Sequence, residues 1–234
     1  MKNTPTTLAE WLDYIERQHP ASIDMGLERV RTVATAMGLG TPAKHTIVVG
    51  GTNGKGSTVA FIEAIARAAG WKVGAYTSPH LLRYNERVRI DGQDVDDAAL
   101  VAAFNTVEAA RGDVTLTYFE YGTLAALQLF ADADLDLAVL EVGLGGRLDA
   151  VNIVDADVAV ITTVDIDHAE WLGEDREAIG AEKAGIIRGW KPVILGETDP
   201  PSSVLARAER GDRVLVFGSF HTAAAALQWL QAPA

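Results

Sequence analysis

The sequence predicts an α/β fold, a mostly parallel sheet with helices on both faces. Three observations predict it. Short apolar runs rich in β-branched residues alternate with amphipathic helical stretches along the first 200 residues. Two of those runs, 135–142 and 157–163, are apolar enough for strands buried on both faces. Another run, Thr46-Ile47-Val48-Val49, feeds a glycine-rich turn that opens into a helix. Such alternation is what a sheet covered by helices requires.

Taken in order, Thr7-Leu8-Ala9-Glu10 forms a capping box that opens an amphipathic helix over 8–18, closed near His19-Pro20. A second helix is expected over 25–37, stopped by Gly38. After the strand at 46–49 comes a helix over 57–69, ending at Gly70. A strand at 72–76 and helices at 97–111 and 118–131 follow, then the strands at 135–142 and 157–163. A helix over 176–187 and a strand at 192–195 complete the alternation. Pro200-Pro201 and Gly211-Asp212 bracket an expected break, with one strand (213–217) and one helix (222–231) beyond it.

Composition narrows the function. The 234 residues carry 32 acidic against 20 basic side chains, a formal net charge of −12, and no cysteine. Disulfides, thiolate nucleophiles and Cys-based zinc sites are excluded. An acidic chain lacks the basic footprint of a nucleic-acid binder, although a local pocket can still take a small anion. The N-terminus has no apolar signal core and no run of 18 or more apolar residues occurs, so the expectation is a soluble, cytoplasmic protein.

The strongest local signal is Val49-Gly50-Gly51-Thr52-Asn53-Gly54-Lys55-Gly56-Ser57-Thr58, set between a strand and a helix. Glycines let backbone N–H groups turn inward around phosphate oxygens, and the helix adds its own N-terminal donors and positive dipole end. Lys55 is placed to neutralise terminal phosphates, and Ser57 or Thr58 to hold a Mg²⁺ oxygen shell. The fit to the general phosphate-loop pattern is imperfect, because its first glycine falls at Val49 and Gly56 follows the lysine where Ser or Thr is usual. A plain glycine-rich turn is the bland alternative; the strand–loop–helix context favours the nucleotide.

Other residues have two readings each. Glu141 ends an apolar strand at the carboxyl edge, where open α/β sheets bind ligands, and is either a Mg²⁺ ligand or a solvated strand-end acid. His168 follows a strand and is either a metal ligand or an ordinary surface or core histidine. Ser78 sits in a Thr-Ser-Pro turn that its own turn chemistry would explain. Arg83, Arg87 and Arg89 can clamp a carboxylate or pair with Glu86 and Asp91. Lys183 reads by spacing alone as a helix-surface lysine.

Four further segments join the phosphate loop: Tyr76-Thr77-Ser78-Pro79-His80-Leu81, Leu140-Glu141-Val142-Gly143-Leu144-Gly145-Gly146-Arg147-Leu148-Asp149, Asp165-Ile166-Asp167-His168, and Glu182-Lys183-Ala184-Gly185-Ile186. With Gly-Thr-Asn-Gly-Lys-Gly-Ser at 51–57, the set resembles the folylpolyglutamate synthase/dihydrofolate synthase family, relatives of the Mur ligases, over about 8–201. The resemblance implies a P-loop NTPase-like fold of the Mur ligase central-domain kind. It implies an ATP-dependent ligase that joins glutamate to dihydropteroate or folate through an acyl phosphate, with ATP and up to two Mg²⁺ ions. On this reading Gly51, Thr52, Asn53, Gly54, Lys55, Gly56, Ser57 and Thr58 bind nucleotide. Lys55, His168 and Lys183 are catalytic; Ser57, Ser78, Glu141, His168 and Lys183 face metal, with Lys183 carbamylated in relatives. Thr77, Ser78, Pro79, His80, Arg83, Arg147 and Asp149 lie on the substrate side, and Asn152 supports the same loop. Val151 stands where relatives usually have Thr.

The family also has a second, C-terminal α/β domain with an Asp-Gly-Ala-His-Asn-Pro segment that does not occur here. Residues 213–222 resemble the family's extreme C-terminus, which implies an ATP-binding domain over 1–201 and a remnant of the second domain over 202–234, joined between about 206 and 211. Nucleotide or Mg²⁺–phosphate binding with weak or no turnover is the expectation for such a chain. Partners are expected to be small molecules, with no nucleic acid and no membrane; the family favours a monomer. The competing readings are a generic P-loop NTPase, though a GTPase's Asn-Lys-x-Asp segment does not occur, a non-catalytic nucleotide- or folate-binding module, and a peptidoglycan Mur ligase. The Thr77-Ser78-Pro79-His80 turn and the Phe119-Glu120-Tyr121 helix start favour the folate branch by resemblance.

Overall fold

The helices begin where a side chain can satisfy free backbone N–H groups. In the computed structural model, which describes residues 4–208, Thr7 accepts from the Glu10 N–H and Glu10 accepts from the Thr7 N–H. Helix α1 then runs Leu8–Glu16. Thr117 and Glu120 repeat the same box at the start of α5, Tyr118–Asp132. Asp96 caps α4, Asp97–Arg111, and Asp175 caps α7, Arg176–Lys183. Helix α2 spans Glu28–Met37 and ends on Gly38 in the left-handed conformation. It starts three residues later than expected, and 22–26 form an irregular strap instead.

Seven strands form one sheet: β1 His45–Gly50, β2 Val73–Tyr76, β3 Val88–Ile90, β4 Gln93–Asp94, β5 Leu137–Glu141, β6 Val158–Ile161 and β7 Val193–Leu195. Their order is β4-β3-β2-β5-β1-β6-β7, with β2, β5, β1, β6 and β7 parallel and the β3–β4 hairpin antiparallel at one edge. This is the predicted fold class. Strand alternation divides the core as period-2 geometry demands. Ile47, Val49, Leu137, Val139, Val158 and Val160 face α3, Lys55–Ala68, through Val59, Ile62 and Ala66. Val48, Ala138, Leu140, Ala159 and Ile161 face the larger core built with α1, α2, α4, α5 and α7.

Three departures from the sequence reading have physical causes. The hairpin β3–β4 was not among the expected elements; Asp91 and Gly92 both adopt positive φ at its turn, the geometry that matches strand twist. Helix α7 stops at Lys183, four residues short of the expected end, and a 3₁₀ turn at Ala184–Ile186 replaces it. There a Cβ on Gly185 would stand 2.4 Å from the Arg147 side chain, so two loops pack backbone to backbone. Past Pro201 the chain forms α8, Ser202–Ala208, which packs on α7 and is capped by the Glu177 carboxylate. The strand and helix expected over 213–231 lie outside the described residues.

Candidate active site

Sheet register brings the functional side chains together. Val49 pairs with Glu141 and Gly50 with Ile161, so β1, β5 and β6 end side by side at the carboxyl edge. Tyr76 pairs with Leu140, which carries the Ser78 turn alongside Glu141. The phosphate loop is held open by the chain just past β6. Thr52 donates its N–H to the Thr163 carbonyl (2.7 Å), and Asn53 donates to Thr163 Oγ1 (3.0 Å). Thr162 Oγ1 donates to the Asn53 carbonyl at 2.6 Å. Gly51 has φ of 141°, and a Cβ there would fall 1.9 Å from Thr162 Oγ1, so this position requires glycine. Lys55 folds back over the loop, donating from Nζ to the carbonyls of Gly51 (2.8 Å) and Thr52 (3.2 Å). Helix α3 starts at Lys55 on this loop, with no side-chain cap among the described residues, so its first-turn N–H groups are left to a ligand or solvent.

Glu141 is 4% exposed and stands directly behind this loop. Its Oε2 accepts the Ser78 N–H at 3.1 Å, and a Cβ on Gly56 would lie 3.7 Å from it. Burial pushes its pKa up, while the Ser78 N–H, Lys55 and Arg89 pull the other way. A carboxylate with one N–H partner, beside Gly56 and the Ser78 turn, is a hard-oxygen donor of the kind Mg²⁺ takes when hydroxyls and phosphates complete its shell. The donor chemistry therefore fits one such ion. Among the described residues no cluster of three His, Asp or Glu forms, so a site built from carboxylate and imidazole alone does not arise. Lys183 is 3% exposed, and among the described residues no carboxylate lies within ion-pair distance of it. Burial first, and Lys55 second, lower its pKa to about 8. It is a buried lysine and not the helix-surface residue that spacing suggested.

A cavity of about 370 Å³ adjoins this face. Residues 22–26, Ser78, Phe119, Leu144, Asp149 and His168 contribute to its wall. Asp149 is buried and its carboxylate accepts the N–H groups of Leu144 (2.9 Å) and Val151 (3.0 Å), shaping the Gly143–Gly146 turn; burial pushes its pKa up to about 6. His168 adopts φ of 51° at the start of α6, Ala169–Leu172, with Nε2 3.5 Å from Asp167 Oδ2. Arg87 also lines the cavity, its guanidinium over the rings of Tyr84 (5.3 Å) and Tyr118 (5.6 Å).

Not every predicted residue converges. Arg83 turns toward Asp97 (3.7 Å), and Arg89 pairs with the buried Glu63 (2.8 Å), so neither meets the cavity. The partners foreseen for the arginines differ as well: Asp91 pairs with Arg67, and Glu86 accepts the N–H groups of Leu81, Leu82 and Arg83. Arg147 binds Glu182 at 2.7 Å, tying the glycine turn to α7, and Asn152 donates to the carbonyls of Arg147 and Gly185. His80 accepts at Nδ1 from Arg87 Nε (2.8 Å), which fixes its proton on Nε2; burial, then Arg87, lowers its pKa. The strap at 22–26 carries no motif and sequence reasoning missed it; Leu144 and Leu148 lie within the quoted 140–149 segment, but their part in the apolar wall was not read from it.

Comparison with known proteins places this geometry among relatives. The Mur ligase middle domain family model matches residues 49–232. A dihydrofolate synthase/folylpolyglutamate synthase of Escherichia coli is 56% identical over 218 residues, covering 92% of this chain and 52% of that protein. The structure of E. coli FolC in complex with DHPP and ADP superposes with a TM-score of 0.89 at 54% identity, covering 93% of this chain and 52% of that one. A bifunctional folylpolyglutamate synthase/dihydrofolate synthase with Mn, AMPPNP and L-glutamate bound gives 0.91 at 46% identity, covering 99% and 64%. The chain spans about half the length of the curated relatives it matches. Among the described residues no helix is long and apolar enough to cross a membrane.

Proposed function

Because the chain belongs to the Mur ligase middle domain family, we propose that it binds ATP and a pteroate-type carboxylic acid and activates that acid for amide formation with glutamate. The observation that carries this reading is the juxtaposition of loop 51–58, Glu141 and the Ser78 turn with a cavity walled by Phe119, Leu144 and Leu148. A phosphate site and an aromatic-sized pocket that share Ser78 suit a reaction between a nucleotide and a flat acid. Relatives solved with ADP, DHPP and L-glutamate support the same pairing.

The chemistry follows from position. A carboxylate oxygen of the acid attacks the γ-phosphorus, the bond to the β,γ-bridging oxygen breaks, and ADP leaves. The glutamate nitrogen then attacks the acyl carbon, inorganic phosphate departs and the nitrogen gives up a proton. No protein nucleophile is required; orientation and charge neutralisation supply the acceleration. The N–H groups over 54–57, at the start of α3, and the Lys55 ammonium grip the phosphates; those of Thr52 and Asn53 are held by Thr163. Magnesium, when bound, neutralises phosphate oxygens, and Ser57, Ser78 and Glu141 would hold it. His168, with Lys183 as a carbamate, would hold a second ion; the burial of Lys183, with no carboxylate within ion-pair distance of it among the described residues, supports that role. Asp149 and Pro79 serve the substrate side as cavity-wall residues, while Thr77, His80, Arg83 and Arg147 brace the surrounding loops.

Titration calorimetry with Mg·ATP and dihydropteroate tests this reading. Both are expected to bind, one equivalent each, with neither displacing the other. Mutual exclusion, or binding of nucleotide alone, contradicts it.

A further inference from the structure

The strap between α1 and α2 forms one wall of the cavity. Residues 22–26 line it, and the Met25 side chain reaches across to within 3.5 Å of where a Cβ on Gly145 would stand. Its polar attachment to the rest of the fold runs through Arg29, on the first turn of α2. The Arg29 Nη1 donates to Asp24 Oδ2 (2.8 Å) and Nη2 donates to the Asp24 carbonyl (2.7 Å). On its other side Nε donates to Glu120 Oε2 (3.3 Å), and Nη2 stands 3.0 Å from Glu120 Oε1. His19 Nε2 lies 3.3 Å from the same Asp24 oxygen, and Met25 and Leu27 pack at the margin of the core.

Glu120 is 3% exposed, caps α5 through the Thr117 N–H (2.8 Å) and itself lines the cavity. Arg29 is therefore a bridge between two walls of one cavity, fixed at both ends by charge-assisted hydrogen bonds in a fork that lysine cannot reproduce. It does not line the cavity itself. We propose that Arg29 is a positioning residue that clasps the 19–27 strap to the start of α5 and so sets the shape of the wall against which the pteroate-type acid binds. The clasp acts before any ligand arrives, by removing the ordering entropy a loose strap would charge against binding. The ligand part of the proposal rests on the function proposed above; the ordering part does not.

Hydrogen exchange of the free protein and equilibrium binding of dihydropteroate and of Mg·ATP, applied to wild type, Arg29→Gln and Arg29→Lys, test it. The expected result is faster exchange across 20–27 in Arg29→Gln, at least a tenfold loss of dihydropteroate affinity, and Mg·ATP affinity within twofold of wild type. Arg29→Lys is expected to fall between the two. Unchanged exchange in the strap overturns the clasp. Faster exchange with unchanged dihydropteroate affinity, or an equal loss for both ligands, overturns its role in the wall. If Arg29→Gln does not fold because Glu120 has lost its counter-charge, Asp24→Asn leaves that pair intact and is judged by strap exchange and the same affinity split. A wild-type protein that does not bind dihydropteroate refutes the proposed function, and strap exchange still decides the clasp.

Discussion

The Lys55 ammonium rests on the carbonyls of Gly51 and Thr52, within its own loop. In the proposed function, phosphate oxygens would take over those contacts. Lys55→Met is therefore expected to weaken ATP binding by ten- to a hundredfold, about 1.4–2.7 kcal/mol, while thermal stability stays near wild type. Calorimetric titration measures the first and a melting curve the second. Asp149 offers a pH test. Its carboxyl has a folded-state pKa near 6 against an ordinary value of 3.8 because burial penalises the charge. The folded state thus holds a proton that the unfolded chain releases between those values, so this group's contribution to stability falls as pH rises from about 4 to 6 and is level above. The gap corresponds to roughly 3 kcal/mol. Asp149→Asn should lack that slope, seen as a pH-dependent difference between the two proteins in urea unfolding. Equal slopes would show that the carboxyl titrates normally. Residue type told much less about Arg83 and Arg147, which motif position put on the substrate side. Their partners, Asp97 and Glu182, are 14 and 35 residues away, and only the folded chain brings them within reach.

At the scale of elements, the phosphate loop owes its shape to the segment that follows β6. Thr162 and Thr163 hold the loop through hydrogen bonds to Thr52 and Asn53, and Gly51 leaves space for the Thr162 hydroxyl. Gly51→Ala adds a methyl where none fits, at a φ that L-residues avoid. It is expected to destabilise the protein by about 1–3 kcal/mol and to abolish nucleotide binding, read by denaturant unfolding and titration. Glu177 does a similar service for α8, accepting the N–H groups of Ser202 and Ser203 at 3.0 and 2.8 Å. Those donors hold its pKa down at about 2. Its contribution is therefore present above the ordinary carboxylate range and fades as pH falls toward 2. Glu177→Ala should speed amide exchange across 202–208 at neutral pH without altering ATP affinity. Helices α1 and α2 were legible because the Thr7-x-x-Glu10 box and the terminal Gly38 mark them locally, whereas the Thr117-x-x-Glu120 box that opens α5 was not read. The hairpin β3–β4 and α8 were harder to read. One has strands of three and two residues, too short to display a period; the other takes its cap from a helix 25 residues earlier.

For the whole molecule, the parallel sheet decides which parts of the sequence meet. Loop 51–58, the Ser78 turn, Glu141 and the Thr162–His168 segment are separated by up to about 110 residues, yet β1, β2, β5 and β6 deliver all four to one edge. That convergence was readable in advance, since the alternation of strands and helices implies it. The cavity beside it was not, because the 22–26 strap carries no motif, and only packing and the Arg29 bridge make one wall of it with Phe119, Leu144 and Leu148, whose segments were read for other reasons. In the proposed function, this edge transfers a phosphoryl group to a carboxylate held in that cavity. A single-turnover reaction with protein in excess over ATP, with Mg²⁺, dihydropteroate and hydroxylamine and without glutamate, tests it most directly. ADP and a dihydropteroyl hydroxamate are expected in equal amounts, both dependent on dihydropteroate and both lost in Lys55→Met. ATP left intact while both ligands are bound, or ADP formed without hydroxamate, would contradict it.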